Sequence, residues 1–266
     1  MSRLHGVQRQ IGPDHPEGAG LGPLSAGPPG AVACPPMPLP TSERPSSLDD
    51  PKVRGVLDRL HAEERAQRGQ LLRMGLSWLP DLLRGKEDSV QEESDRIKDF
   101  FVALSPKQGT LAYMIARSIG ARRIVEFGTS FGISTIYLAA ALRDNGGGVV
   151  IGSEMQPSKL ERARAHLAEA GLGDVAEIRG GDARETLADA GGTVDLVLLD
   201  GAKQLYLEML QLLTPQLRTG SVVLADNILV FRKALRPYVE HVQDPRNGFR
   251  SVTLFLGSGT EYSVRL

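Results

Sequence analysis

From about residue 105 onward, short runs of β-branched residues alternate with longer amphipathic stretches. The runs predict strands at residues 123–127, 148–153, 175–179, 194–199 and 221–225. The stretches between them have helical periodicity, at residues 133–143, 158–170, 183–190 and 204–213. Strands that alternate with helices at this spacing predict an α/β domain, in which helices cover both faces of a parallel sheet.

The pattern changes at the C-terminal end, where two strand-like runs follow each other with no helix between them. They cover residues 251–256 and 261–265 and are separated by Gly257-Ser258-Gly259. A glycine-rich turn between two such runs predicts a hairpin. The last strand should therefore run antiparallel to its neighbours.

Residues 51–104 show a helical, leucine-rich pattern. Asp49 and Asp50 are suited to cap a helix that begins at Pro51. A first apolar face, formed by Val53, Val56, Leu57, Leu60 and His61, precedes a second apolar group within residues 71–83 that Gly75 and Pro80 interrupt. We expect these helices to pack on the α/β domain; substrate covering and a dimer contact are the alternatives.

The first fifty residues have a different composition. Eleven of the seventeen prolines lie in residues 1–51, and seven glycines precede residue 31. Such a segment buries too little apolar surface to offset the entropy lost on ordering, so residues 1–50 are predicted to be a disordered tail. Alternatively, Met37 is the natural start and residues 1–36 do not belong to the natural protein.

Composition and charge narrow the functional class. Thirty-one basic residues balance thirty-two acidic ones, so no net field favours nucleic acid or an anionic membrane. The only cysteine, Cys34, fits a reducing compartment. No apolar run approaches the roughly 18–20 residues of a membrane span. We expect a cytoplasmic protein that acts on a small molecule, and leave a homodimer open.

A strand that runs into a glycine turn at residues 124–132 predicts a nucleoside site. Its spacing is Gly-x-x-x-Gly, from Gly128 to Gly132, whereas dinucleotide sites use Gly-x-Gly-x-x-Gly. Glu126 also places a carboxylate where a pyrophosphate would need donors. A cationic nucleoside without phosphate fits better, and S-adenosylmethionine (SAM), a sulfonium with an amino-acid tail, meets that description.

Two further carboxylates follow the next two strands. Glu154 comes 26 positions after Gly128 and can accept hydrogen bonds from both ribose hydroxyls. Asp182, after the third strand, is placed to accept from the adenine amino group. Each residue is weak support alone, because strand-end acids also cap turns. Their order on three successive strand ends favours a SAM site.

The fourth and fifth strands end on a second polar set, Asp200 and the pair Asp226-Asn227. Neighbouring strands lie about 4.8 Å apart, so these side chains can converge. Carboxylate and amide oxygens suit Mg²⁺, and no Cys/His cluster suggests zinc. A divalent cation lowers the pKa of a phenol, which is near 10 when free. Lys203 is the predicted proton acceptor, because a nearby cation favours neutral lysine.

These motifs resemble those of class I SAM-dependent O-methyltransferases, in particular the metal-dependent catechol and caffeoyl-CoA family. The resemblance covers residues 105–266. It rests most on Glu126-Phe127-Gly128-Thr129-Ser130-Phe131-Gly132-Ile133-Ser134, Asp200-Gly201-Ala202-Lys203 with Tyr206, and Ala225-Asp226-Asn227. It implies a Rossmann-like fold with strand order 3-2-1-4-5-7-6, an antiparallel strand 7 and an N-terminal helical extension.

The resemblance also implies roles for individual residues. The positions expected to bind SAM are Glu126, Gly128, Ser130, Gly132, Ser134, Glu154, Asp182, Ala183 and Asp200. Those expected to hold the cation are Asp200, Asp226 and Asn227, with Lys203 as the base. The implied activity is metal-assisted methylation of a hydroxyl on a small, aromatic acceptor.

Two departures from the family bear on the acceptor. Residues 228–232 lack the Gly, Pro or Trp of that loop and are expected to enter a helix directly. No acidic residue lies within residues 249–256 to hold a second hydroxyl, which argues against catechol itself. A metal-free SAM methyltransferase and a non-catalytic SAM-binding protein acting through its N-terminal helices remain alternatives. An NAD-dependent oxidoreductase is disfavoured by the glycine spacing.

Overall fold

A seven-stranded sheet lies at the centre of the computed structural model, which describes residues 46–83, 89–100 and 103–266. The strand order is β3-β2-β1-β4-β5-β7-β6, and β7 runs antiparallel to both of its neighbours. This confirms the predicted order and the terminal hairpin. The strands are β1 (Arg123–Phe127), β2 (Val149–Glu154), β3 (Ala176–Gly180), β4 (Val194–Leu199), β5 (Leu217–Ala225), β6 (Phe249–Leu254) and β7 (Thr260–Arg265).

Eight α-helices accompany the sheet in the described residues. None of them is long and apolar enough to cross a membrane. They are α1 (Pro51–Leu83), α2 (Val90–Arg96), α3 (Pro106–Ser118), α4 (Ile133–Asp144), α5 (Pro157–Glu169), α6 (Ala183–Thr186), α7 (Tyr206–Leu213) and α8 (Arg232–Gln243).

The central strands are apolar on both faces because helices cover both sides. Successive strand residues point to opposite faces. In β4, Leu196 and Leu198 pack with α1, α3 and α4, whereas Val197 and Leu199 pack with α7 and α8. Burial on two faces explains why the sequence shows continuous apolar runs here and no simple alternation.

Helix α1 docks through the first apolar face that the sequence predicts. Val53, Val56, Leu57 and Leu60 are buried with residues of α3 and α4 in one cluster. His61 Nε2 lies 3.2 Å from the Tyr137 hydroxyl of α4. The helix continues to Leu83 without a break at Gly75 or Pro80. The side chains of the second apolar group lie outside the described part of the chain.

Some element ends differ from the predictions. The helix predicted over residues 183–190 ends at Thr186, where the Arg179 guanidinium binds the Thr186 carbonyl and the Ala190 N–H, which a longer helix would pair with that carbonyl, donates to Gln216 instead. Strand β5 begins at Leu217, four positions early, through a register shift opposite β4.

The predicted disordered tail is too long at its C-terminal end. Residues 1–45 lie outside the described residues, but Ser47–Asp49 forms a 3₁₀ turn. The Ser47 backbone N–H and hydroxyl donate to Asp144, and Ser46 lies 2.9 Å from the Tyr113 hydroxyl. Hydrogen bonds of short polar side chains hold this segment in place. Amino-acid composition does not predict such contacts, so the composition-based prediction includes the segment in the disordered tail. Asp50 caps α1 as predicted, through the Lys52 N–H.

We expect Asp144→Ala to lower the free energy of unfolding by about 1–3 kcal/mol, since three donors lose their acceptor. The donors are the Ser47 N–H and the hydroxyls of Ser47 and Tyr113. Urea unfolding measures the change. Asp174→Ala is the control, because Asp174 pairs with Arg143 at the exposed surface, and such pairs contribute little. Equal stability of Asp144→Ala and the wild type would show that the contacts do not hold the segment.

Candidate active site

The predicted site residues gather where the strand order reverses, at the carboxyl ends of the central strands. Strand β1 lies between β2 and β4, and Glu126 is in register with both Gly152 and Leu198. Connections leave this edge in opposite directions, which opens a crevice for ligands. The ends of β1, β2, β4 and β5 therefore lie next to one another along this edge of the sheet.

The glycine turn after β1 permits close packing of the site. Gly128 has φ +94°, and a Cβ there would lie 2.7 Å from the Asp200 carbonyl oxygen and from Gly201. The Asp200 N–H donates to the Phe127 carbonyl at 2.9 Å. A side chain at position 128 would separate the two strand ends, so glycine is required here.

Glu126 is a fully buried carboxylate at the end of β1. Its Oε2 accepts hydrogen bonds from Thr129 at 2.9 Å and from Thr135 at 2.5 Å. Its Oε1 has no hydrogen-bond partner among the described residues. Burial raises the pKa of Glu126, against the opposing effect of the Ser134, Thr135 and Thr129 hydroxyls. A buried acceptor with a free oxygen fits the ammonium of a SAM amino-acid tail.

Glu154 is held in one orientation at the end of β2. The backbone N–H groups of Ser130 and Gln156 donate to its two oxygens at 2.7 and 2.8 Å. Burial raises its pKa, while these N–H groups and Lys159 favour the charged form. Each oxygen keeps a lone pair for another donor, as a ribose diol requires. The adjoining Ser130 hydroxyl is buried and has no partner in the described chain.

The remaining predicted cofactor residues have structural contacts here. Asp182 caps α6 through the Arg184 N–H and also forms an ion pair with the Arg184 guanidinium, which lowers the pKa of the aspartate. Ala183 is buried at the start of α6, and Gly132 immediately precedes α4. The adenine contact of Asp182 stays a prediction.

Asp200 and Asp226 follow neighbouring strands in register. Leu199 pairs with Ala225, and the Asp226 N–H donates to the Leu199 carbonyl at 3.0 Å. Burial raises the pKa of Asp200 to about 8; the charges of Asp226 and Glu126 add to the rise, and Lys203 opposes it. Negative charge is thus crowded and desolvated at this point, and a cation would relieve it.

Lys203 is buried and begins a short 3₁₀ turn four positions after the last residue of β4. Its Nζ is 3.4 Å from Asp200 Oδ1 and 3.1 Å from the Tyr206 hydroxyl. The Phe231 ring lies beside it, with its centroid 5.9 Å from Nζ. The structure therefore brings the predicted base together with the predicted cation ligands.

Asp226 and Asn227 are joined by a local hydrogen-bond network. Asp226 Oδ1 accepts from Gln108 Nε2 at 2.5 Å and from the Ser258 hydroxyl at 2.7 Å. Asn227 Nδ2 donates to Asp226 Oδ2 and to Ser258 Oγ, both at 2.9 Å. Asn227 Oδ1 is buried without a partner in the described chain. Nothing in the sequence alone indicates Gln108 or Ser258, because only the fold brings them to Asp226.

The donor set fits a hard cation. Two carboxylates and the Asn227 amide oxygen, which no described residue contacts by a hydrogen bond, provide oxygen ligands. Mg²⁺ prefers such ligands, and a small number of protein ligands leaves room for water and substrate. Within residues 46–83, 89–100 and 103–266, no three His, Cys, Asp or Glu side chains group as a metal site. The fit therefore depends on the Asn227 oxygen.

The loop after Asn227 does not enter a helix directly, contrary to the prediction. A turn over residues 228–231 precedes α8, since the Ile228 and Leu229 N–H groups pair with carbonyls of the β6–β7 hairpin. This turn leaves Val230 64% and Phe231 46% exposed. Exposed apolar side chains thus lie beside Lys203 and the proposed cation ligands.

Comparison with known proteins identifies relatives of this domain. A family model described as a methyltransferase domain matches residues 125–228, which include Glu126, Asp200 and Asp226. A catechol O-methyltransferase of Mycobacterium tuberculosis is 38% identical over 129 residues, 48% of this chain and 58% of that protein. One from Niastella koreensis is 29% identical over 191 residues, 69% of this chain and 84% of that protein. The chain thus spans little more than half of the first relative.

Solved structures show the same arrangement of elements. An O-methyltransferase from Bacillus cereus in complex with SAH has a TM-score of 0.58 at 26% identity, covering 68% of this chain and 92% of that one. The O-methyltransferase TomG from Streptomyces achromogenes, in complex with SAM, has a TM-score of 0.58 at 28% identity. The match covers 68% of this chain and 91% of TomG.

Proposed function

We propose that the chain is a class I SAM-dependent O-methyltransferase of the catechol and caffeoyl-CoA type and that it methylates a hydroxyl of a small aromatic acceptor with the help of a divalent cation. One observation carries the proposal. Glu126 Oε1 and Asn227 Oδ1, which have no hydrogen-bond partner in the described part of the chain, lie at the same sheet edge as the Asp200–Lys203 pair. The cationic cofactor would give Glu126 Oε1 a partner, and the divalent cation would give Asn227 Oδ1 a partner.

The cofactor half would hold SAM by charge and by hydrogen bonds. Glu126 Oε1 accepts from the ammonium of the amino-acid tail, and Glu154 accepts from the ribose hydroxyls. Asp182 and Ala183 line the adenine end. Glu126 and Glu154 are already oriented by their own hydrogen-bond donors, so little reorganisation accompanies binding.

When bound, SAM would supply an electrophilic methyl group: the acceptor oxygen would take the methyl, and the electron pair of the broken carbon–sulfur bond would stay on sulfur. Lys203 Nζ takes the hydroxyl proton. Its contacts with Asp200 and Tyr206 hold that atom at the strand end where the acceptor must lie.

The cation would be held by Asp200, Asp226 and Asn227 Oδ1. When bound, it would lower the pKa of the acceptor hydroxyl so that the nucleophile forms near neutral pH. Mg²⁺ is the proposed ion, because every proposed ligand is an oxygen.

The aromatic acceptor is supported by the apolar side chains at the mouth of the site. Phe231 lies beside Lys203, and the exposed Val230 is its neighbour. A panel of phenols, catechols and aliphatic hydroxy acids, incubated with SAM and Mg²⁺ and followed by mass spectrometry, tests the proposal. We expect methylated phenols or catechols, and products from the aliphatic acids alone would contradict the aromatic assignment.

Glu154→Ala should weaken SAM binding at least tenfold, because two charge-assisted hydrogen bonds, each worth roughly 1.5–3 kcal/mol at most, are lost. Calorimetric titration with SAM measures the effect, and Glu177→Ala on β3 is the control because Glu177 is exposed and pairs with Arg179. Unchanged SAM affinity in Glu154→Ala would show that Glu154 does not bind the ribose hydroxyls.

Metal-free methyl transfer is a second candidate, favoured by one observation. Asp226 already accepts from Gln108, Ser258 and Asn227, as an aspartate with a structural role would. Lys203 alone would then activate the acceptor. The response to a chelator separates the two mechanisms.

A further inference from the structure

We propose that Ser258 and Gln108 are positioning residues for the cation ligands, so that the turn of the β6–β7 hairpin is part of the metal site. The inference rests on the proposed function, because it assigns a role toward the cation that Asp226 and Asn227 would hold. Neither residue is proposed to touch the reacting atoms. Each acts through the orientation of a ligand side chain.

Ser258 joins the two ligands to each other. Its hydroxyl donates to Asp226 Oδ1 at 2.7 Å and accepts from Asn227 Nδ2 at 2.9 Å. The Asn227 amide nitrogen also donates to Asp226 Oδ2. Both hydrogens of that nitrogen are used, so the orientation of the amide is fixed and its oxygen is left over. That buried oxygen is the atom proposed to face the cation.

Gln108 holds the other side of Asp226 from α3. Its Nε2 donates to Asp226 Oδ1 at 2.5 Å and to Thr260 Oγ1 at 3.1 Å. Its own oxygen accepts from the Ser105 N–H and hydroxyl in the N-terminal capping box of α3. Hydrogen bonds thus fix both the nitrogen and the oxygen of the Gln108 amide, and the side chain is buried.

The two oxygens of the Asp226 carboxylate have different hydrogen-bond partners. Among the described residues, Oδ1 accepts from both Gln108 and Ser258, whereas Oδ2 accepts only from the neighbouring Asn227. Oδ2 and Asn227 Oδ1 are therefore the oxygens left to the cation. Partners that orient metal ligands commonly change metal affinity 10- to 100-fold when removed.

Backbone hydrogen bonds hold the turn of the β6–β7 hairpin at the position that brings Ser258 to Asp226. The Leu229 N–H donates to the Ser258 carbonyl, and the Ile228 N–H donates to the Gly259 carbonyl, both at 3.0 Å. These bonds connect the turn to the chain directly after Asn227. The backbone would keep its place when only the Ser258 hydroxyl is removed, which makes Ser258→Ala a clean test.

The experiment measures Mn²⁺ binding to the full chain by the electron paramagnetic resonance signal of free Mn²⁺. We expect the Mn²⁺ dissociation constant to rise about tenfold or more in Ser258→Ala and in Gln108→Leu. Ser258→Thr keeps the hydroxyl and should restore wild-type affinity. Ser251→Ala is the matched control, because this hydroxyl of the same hairpin binds Glu261 and not Asp226. SAM affinity, measured by calorimetry, should stay unchanged in all four variants.

The outcomes separate this inference from the proposed function. If the wild type binds Mn²⁺ and Ser258→Ala and Gln108→Leu bind it equally well, the positioning role is rejected and the metal mechanism stands. If the wild type binds no Mn²⁺, both are rejected. A parallel loss of SAM affinity, or no recovery in Ser258→Thr, would mark a general disturbance of the fold and also overturn the positioning role.

Discussion

Asp226→Ala should abolish cation binding and lower methyl transfer at least a hundredfold, on the order expected when a metal's contribution to catalysis is lost. The substitution removes one of three proposed protein ligands and half of their carboxylate charge. Asn227 and Ser258 also lose the partner that orients them. SAM binding should persist, because Glu126 and Glu154 lie on other strand ends. Mn²⁺ titration, calorimetry with SAM and single-turnover methyl transfer measure the three effects.

A second substitution guards against a folding artefact. Asp226→Asn keeps an acceptor for Gln108 and Ser258 but removes the charge, so the fold should be retained while cation affinity falls. Asp174→Ala, at an exposed aspartate, is the control and should bind Mn²⁺ like the wild type. Methyl transfer that survives both Asp226 substitutions would reject the metal mechanism and favour the metal-free one.

Lys203→Ala should lower the rate of methyl transfer by roughly 10²–10⁴, the usual contribution of a positioned proton acceptor. Cation and SAM binding should remain, because Lys203 is not a proposed ligand for either. The variant also leaves the buried Asp200 without its ion-pair partner. Lys203→Arg is therefore the more informative change: it keeps a positive charge beside Asp200, but a guanidinium does not lose its proton in proteins.

Both Lys203 variants should be slow if the lysine moves a proton. Recovery of the rate in Lys203→Arg would show instead that only the positive charge matters. A rate within a few-fold of wild type in Lys203→Ala would remove the base assignment altogether. Lys233→Ala, on the exposed start of α8, controls for a general loss of positive charge near this edge of the sheet.

The sequence predicted the sheet and the strand-end residues because both depend on local pattern. Continuous apolar runs mark strands buried on two faces, and in a parallel sheet such strands end at one edge. Asp200 and Asp226 each follow their strand by one position, so the pairing of Leu199 with Ala225 was enough to bring them together. The proximity of Asp200 and Asp226 could therefore be predicted without knowledge of any contact outside these two strands.

The rest of the site depends on contacts between distant parts of the chain. Gln108 is 118 positions from Asp226 in sequence, and the capping box with Ser105 gives it a sufficient local role. Ser258 sits in a hairpin turn whose sequence indicates only a reversal of the chain. Ser47 lies in a proline-rich segment, yet Asp144 holds it. Composition and periodicity carry no signal for such pairs.

Methyl transfer by chelated protein, with and without added Mg²⁺, tests the metal-assisted mechanism most directly. The protein is treated with EDTA, dialysed, supplied with SAM and a phenolic or catecholic acceptor from the panel, and assayed before and after Mg²⁺ is returned. The metal-assisted mechanism predicts that chelation abolishes transfer, that Mg²⁺ restores it in the wild type, and that Asp226→Ala stays inactive at the same Mg²⁺ concentration. Transfer that continues at the full rate after chelation would contradict it.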